Sequence, residues 1–144
     1  MGRSGLLPRG VDFADRLAPD IQTMEAISRG VLNGLPENIQ AKCAGVVIRV
    51  GDFPSEEVVE DLGLETEFEL LGLFVGNGLP QSGATPETGV LPNEIWLFRR
   101  PILDYWADNP DTLKAIIAHV LIHEIGHHFG LSDADMVAIE AEAG

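Results

Sequence analysis

The stretch Thr112–Phe129, TLKAIIAHVLIHEIGHHF, carries apolar residues on every side of a helix rather than along a single stripe. A helix of this kind lies in the buried centre of its domain, so its polar residues are costly and require an explanation. Asn109 and Pro110 are suited to begin this helix, and Gly130 is suited to end it. The sequence therefore predicts a central buried helix, which holds all 4 histidines of the chain.

Within that helix lies the pattern His123-Glu124-Ile125-Gly126-His127, an H-E-x-x-H motif. Residues four apart project from the same face of a helix one turn apart, which suits two imidazoles that bind one zinc ion. Glu124 stands beside the two histidines, where it can accept a proton from a water that zinc activates. The motif predicts a Zn²⁺ site with His123 and His127 as ligands and Glu124 as the catalytic residue.

A third ligand is expected just after the helix. Gly130 lies three residues after His127, and Asp133 lies three residues after Gly130. A glycine lets the chain turn sharply there, so that the residue three further on returns to the metal. Because a carboxylate oxygen is a good zinc ligand, the spacing predicts that Asp133 completes the site with His123 and His127.

The same residues allow other interpretations. The two ligand histidines could be hydrogen-bonded core residues. Asp133 could cap the last helix together with Ser132, in which case Asp135 would be the next candidate ligand. Met136 is too close in sequence to Asp133 for the methionine turn that lies under the metal in related sites, so core packing is expected for it.

Four further residues are candidates for supporting roles. His119 lies one turn before His123 on the same helical face, which favours a place in the pocket or behind a ligand. His128 could orient the catalytic glutamate or pack elsewhere. Tyr105 and Arg99 are candidates to stabilise the oxyanion, as is His119, although Arg99 could equally form a structural ion pair.

The remainder of the chain predicts a mixture of helices and strands. Asn93–Phe98 could pair with an extended peptide by β-addition. The segment from Gly76 to Pro92 is rich in Gly, Pro, Ser and Thr and is expected to be a long loop. The expected helices cover about Pro19 to Gly34, Ser55 to Leu62, a turn at Ile102–Trp106 and a last segment from Ser132; the expected strands are Ala44–Val50, Phe68–Val75 and Asn93–Phe98.

Length and charge limit the possible functions. The chain of 144 residues fits one domain, with residues 1–16 as a flexible extension and 17–144 as the folded part. Its net charge of -14 argues against nucleic-acid and anionic-membrane partners. No secretory signal and no apolar run of about 20 residues is visible, so a cytoplasmic location is expected. The single cysteine, Cys43, is expected to be a buried thiol.

The chain resembles the small bacterial zincin-like metallopeptidases. The resemblance implies an α+β minimal zincin-like fold: a small mixed β-sheet packed on a buried active-site helix, with flanking helices. It runs from about Leu17 to the C-terminus, and it is carried by the stretches Leu71–Gly76, Ile95–Ile102 and His123–Asp133.

The sequence thus predicts a zinc-dependent metallopeptidase that hydrolyses peptide bonds through a zinc-bound water activated by Glu124. The expected partner is a peptide or protein substrate, and the oligomeric state is left open. Two other functions remain possible from the sequence. One is a metal-binding regulatory or interaction domain with little activity, and the other is a narrow processing peptidase that acts on one protein partner.

Overall fold

The computed structural model describes residues 13–76 and 92–143. Residues 1–12 of the expected N-terminal extension and nearly all of the expected loop from Gly76 to Pro92 lie outside the described residues. No helix in the described part of the chain is long and apolar enough to cross a membrane.

The described chain contains six helices and one small mixed sheet, which confirms the α+β class. A short 3-10 turn, Glu67–Glu69, precedes the second strand. The elements are α1 (Ile21–Asn33), α2 (Glu37–Lys42), β1 (Val47–Gly51), α3 (Glu56–Asp61), β2 (Gly72–Val75), β3 (Glu94–Phe98), α4 (Arg99–Ala107), α5 (Leu113–Phe129) and α6 (Asp133–Ala143).

The sheet is mixed and has the strand order β1-β3-β2. β3 pairs with β1 in parallel and with β2 in antiparallel orientation. Both edges of β3 are therefore occupied, so the prediction that Asn93–Phe98 takes up an extended peptide is wrong. Within the described residues the outer strands are β1 and β2, and strand order is a tertiary property that the local sequence of β3 does not contain.

The helix α5 forms the centre of the core, as its sequence predicts. It packs against α1, α4 and α6 and against the strands β2 and β3. The approach to β2 is close, because a Cβ atom added to Gly72 would lie 2.5 Å from Cγ1 of Val120. The buried residues of α5 are Leu113, Ile116, Ile117, Ala118, Val120, Leu121, Ile122, Ile125 and Gly126.

Different residues from those expected begin this helix, while its end is as predicted. The hydroxyl of Thr112 accepts a hydrogen bond from the backbone N–H of Ala115 at 3.1 Å, so Thr112 and not Asn109 is the N-cap. Asn109 instead donates its side-chain N–H to the carbonyl of Tyr105 at the end of α4. Gly130 adopts φ 74°, a left-handed conformation that ends the helix and turns the chain.

From α1 to α3 the chain matches the predicted elements with one exception, the helix α2. α1, β1 and α3 lie within or close to the expected helix, strand and short helix, and Ser55 caps α3 as expected. The helix α2 was not expected; it begins directly after Pro36 and ends at Cys43. Cys43 is buried, as expected, and burial raises the pKa of its thiol.

The strand predicted at Phe68–Val75 is shorter than expected. Thr66 and Glu69 form a reciprocal capping pair, in which the Thr66 hydroxyl accepts from Phe68 N–H and the Glu69 carboxylate accepts from Thr66 N–H. These bonds stabilise a helical turn where the apolar pattern alone favoured a strand. β2 therefore begins only at Gly72.

The segment after β3 also differs from the prediction. Pro101 is the third residue of the nine-residue helix α4, which begins directly after β3. A proline is tolerated there, because the first N–H groups of a helix have no partner within the helix. The turn expected at Ile102–Trp106 is therefore the body of a longer helix.

α6 packs closely against α5 at Gly126, a residue that has no Cβ atom. Met136 of α6 is 1% exposed, which confirms core packing for it. A Cβ atom added to Gly126 of α5 would lie 2.2 Å from the Sδ atom and 2.8 Å from the Cγ atom of Met136. The two helices can approach this closely only because residue 126 has no side chain.

This contact predicts that Gly126→Ala destabilises the protein. Overpacking of a full core costs about 1–3 kcal/mol, which we expect to outweigh the gain of up to ~1 kcal/mol that Ala brings to a helix. Urea unfolding followed by circular dichroism would measure the free energy of unfolding. The control is Gly30→Ala in α1, where an added Cβ atom meets nothing within 4 Å and stability should stay equal or rise. Equal effects of the two substitutions would contradict the packing account.

Candidate metal and catalytic site

Three histidines lie along one face of α5. The ring centroids of His119 and His123 are 4.1 Å apart, and those of His123 and His127 are 6.0 Å apart with nearly perpendicular planes. His123 is half-buried, whereas His119 and His127 are exposed. The spacing of four residues therefore places the imidazoles in a row at the surface of an otherwise buried helix.

The side chain of Glu124 reaches from α5 to the edge of the sheet at β2. Its Oε1 atom accepts a hydrogen bond from the backbone N–H of Phe74 in β2 at 3.0 Å. Burial raises the pKa of the Glu124 carboxyl, while the hydrogen bond from Phe74 and the nearby His127 and His123 act in the opposite direction. The net result is a carboxyl that keeps its proton to a higher pH than an ordinary glutamate.

Asp133 is the first residue of α6 and is exposed. The cap of this helix consists of its neighbours: Ser132 N–H donates to the Asp135 carboxylate at 3.2 Å, and Asp135 N–H donates to the Ser132 hydroxyl at 3.0 Å. Ser132 is thus the predicted cap, and the carboxylate of Asp135 is occupied by capping. Asp133 stays outside this pair of hydrogen bonds.

A residue that the sequence analysis did not single out joins the histidines. One carboxylate oxygen of Glu140 in α6 lies 2.5 Å from Nδ1 of His119, and the other lies 3.4 Å from Nε2 of His123. Among the described residues, His119, His123 and Glu140 are the group of metal-ligand side chains whose donor atoms all lie within 4.8 Å of one another. His127 and Asp133 are not brought together with His123 at this distance.

Helical spacing could have revealed Glu140. It lies four residues after Met136, the residue of α6 that packs on Gly126 of α5. Residues four apart share a helical face, so Glu140 also faces α5. What the sequence could not provide was the contact of Met136 with Gly126, because that contact sets the position of one helix along the other.

A cleft of about 530 Å³ opens beside these side chains. Its wall includes His119, His123, Glu124 and Glu140, and β2 contributes Gly72. Among the residues that the structure describes, the lining contains several carboxylates and no lysine or arginine. The cleft therefore has the charge that attracts metal ions and other cations.

Residues 43–143 match the family model of the zincin-like metallopeptidases. The chain belongs to that family. The resemblance stated from three sequence stretches is thereby confirmed, and the fold agrees with it. A search of curated proteins finds no match.

Membership in the zincin-like family implies a metal ion, usually zinc. The donor chemistry of the site fits zinc, because imidazole nitrogens and carboxylate oxygens are zinc ligands. His119, His123 and Glu140 offer such donors within 4.8 Å of one another, and His127 and Asp133 offer two more nearby in the sequence.

The three other predicted residues have three different surroundings. Tyr105, 45% exposed, lines the cleft. His128 stacks on the ring of Phe74, with centroids 3.8 Å apart, and so packs against the strand that binds Glu124. Arg99 donates hydrogen bonds to the carbonyl of Pro19 at 2.6 Å and to Asp52 at 3.1 Å, which favours the structural ion pair that the sequence left open.

The raised pKa of Glu124 predicts a pH-dependent gain in stability for Glu124→Gln in metal-free protein. The unfolded chain loses the Glu124 proton near the ordinary pKa of 4.5, whereas the folded protein keeps it to higher pH. Across that interval the folded state binds more protons, so this group lowers stability as the pH rises. Glutamine has no such charge and can still accept the hydrogen bond from Phe74.

Urea unfolding with a chelator at about pH 7 and about pH 4 tests this prediction. We expect Glu124→Gln to exceed the wild type in free energy of unfolding at the higher pH and to approach it at the lower pH. Glu142→Gln, which changes an exposed carboxylate of α6, is the control. A difference that does not vary with pH would contradict the burial argument.

Proposed function

We propose that the protein is a zinc-dependent metallopeptidase that hydrolyses peptide bonds, with Glu124 as the catalytic residue. The metal ligands proposed for this reaction are His123, His127 and Asp133. The observation that carries the proposal is the half-buried carboxylate of Glu124, which has a raised pKa and lies beside His123 in the cleft. Membership in a family of metallopeptidases supports it.

A zinc ion held by His123, His127 and Asp133 would lower the pKa of a water molecule to about 7 and would polarise a carbonyl group. In the proposed reaction Glu124 accepts the proton of the attacking water and then passes it to the leaving amine. Its burial raises its pKa, which brings its affinity for a proton closer to what both transfers need. Tyr105 and His119 line the same cleft and are the proposed donors to the developing negative charge.

The outer edge of β2 is the proposed place for an extended peptide. Phe98 N–H donates to the carbonyl of Leu71, so the alternation of an antiparallel pair turns the backbone groups of Leu73 toward β3 as well. The backbone groups of Gly72 and Phe74 then face away from the sheet, and Phe74 N–H is bonded to Glu124. A peptide strand added to this edge would place its backbone next to the proposed catalytic carboxylate.

Cleavage that depends on Glu124 is the main test. Zinc-loaded protein should cut members of a broad peptide library, and Glu124→Gln should reduce kcat by about 10²–10⁴-fold because a positioned general base contributes that factor. Zinc content should stay unchanged, since Glu124 is not a proposed ligand. Glu142→Gln serves as the matched control and should cut at the wild-type rate. No cleavage by the zinc-loaded wild type would contradict a general peptidase.

Asp133 is tested by zinc binding. We expect Asp133→Ala to weaken zinc affinity by at least about tenfold, because a lost ligand costs no less than the loss of a residue that merely supports one. Competition with a chromophoric chelator would measure the affinity. Asp61→Ala, which removes an exposed carboxylate at the end of α3, is the control. An affinity equal to that of the wild type would remove Asp133 from the ligand set.

A further inference from the structure

We propose that His119, His123 and Glu140 form a second binding site for a divalent transition-metal ion such as zinc. The site overlaps the one proposed for catalysis, because both use His123. It lies one helical turn toward the start of α5 and takes its carboxylate from the far part of α6. Its existence does not depend on whether the protein cleaves peptides.

The donor atoms are close to the separation that one ion requires. Two ligands on a tetrahedral ion at about 2.05 Å from each are roughly 3.3 Å apart. Oε2 of Glu140 lies 3.4 Å from Nε2 of His123, close to that value. Oε1 lies 2.5 Å from Nδ1 of His119, a hydrogen bond that an ion would replace after a small rotation of either side chain. The His119 and Glu140 side chains are 57% and 26% exposed, so both have room to rotate.

The fold places Glu140 there through a contact far from any ligand. α5 and α6 are joined by the turn at Gly130, so they run in opposite directions. Met136 is fixed on Gly126. Glu140 lies four residues after Met136 along α6, a rise of about 6 Å. The same distance from Gly126 toward the start of α5 reaches the turn between His119 and His123. The same packing that closes the core therefore brings the carboxylate to the imidazoles.

The composition of the group distinguishes it from an ordinary surface ion pair. An exposed pair needs one cation and one carboxylate oxygen and contributes little to stability. Here a single carboxylate directs one oxygen to each of two imidazoles. Two imidazoles and one carboxylate are a donor set that open zinc sites use, with the remaining position left to water. All three side chains line the cleft, so an ion can enter from solvent.

Sharing of His123 makes the two sites mutually exclusive. A neutral imidazole offers one lone pair, so His123 serves one ion at a time. The protein is then expected to bind one equivalent of metal and not two. An ion held by His119 and Glu140 would be separated from His127 and Asp133, so the second site competes with the arrangement proposed for catalysis.

The experiment uses a full-length chain in which the catalytic set is disabled. The double variant His127→Ala/Asp133→Ala lacks two of the ligands proposed for catalysis and keeps all three residues of the second site. We expect it to bind about one equivalent of Zn²⁺ in calorimetry and of Co²⁺ by visible absorption. Addition of Glu140→Gln or His119→Ala should weaken that binding by at least about tenfold. Addition of Glu142→Gln, on the same helix, should leave it unchanged.

The outcomes separate this site from the proposed function. If the folded double variant binds neither Zn²⁺ nor Co²⁺, or if Glu140→Gln acts no more strongly than Glu142→Gln, the second site does not exist. Two equivalents bound by the wild type would overturn the shared role of His123. Metal binding by the double variant together with a wild type that cuts no peptide would support the second site and contradict the peptidase.

Discussion

The burial of α5 on nearly all sides is the constraint on which the rest of the structure depends. Sheet and helices cover the apolar faces of α5, and the uncovered face carries His119, His123 and His127. Because polar side chains are costly in a core, the three imidazoles can lie only along this strip. The position of the candidate site is therefore a consequence of how the core is closed.

One contact within that core controls the second helix of the site. Gly126 has no side chain, so Met136 can lie against the backbone of α5, and α6 is fixed at one height along its neighbour. That height brings Glu140 to two histidines and leaves Asp133 at the exposed start of α6. A residue within the H-E-x-x-H motif thus has a packing role besides separating the two proposed ligands.

The features that the sequence predicted are those that depend on neighbours along the chain. The all-round apolar pattern of α5, the turn at Gly130 and the cap at Ser132 are local, and the structure has all three. The central place of β3 and the approach of Glu140 depend on how distant segments pack, and no local pattern contains them. The prediction of a strand from Phe68 was wrong for a different reason. Hydrogen bonds between Thr66 and Glu69 outweighed an apolar pattern typical of a strand.

The hydrogen bond from Phe74 to Glu124 also bears on self-association. An outer strand with unpaired backbone groups is a template on which another copy of the chain can add a strand and start aggregation. β2 has only four residues, and one of its outward N–H groups is taken by the Glu124 carboxylate. A proposed catalytic group thereby shortens the run of free backbone that a second copy could pair with. A peptide that paired with the N–H of Phe74 at this edge would have to take the place of the Glu124 carboxylate there.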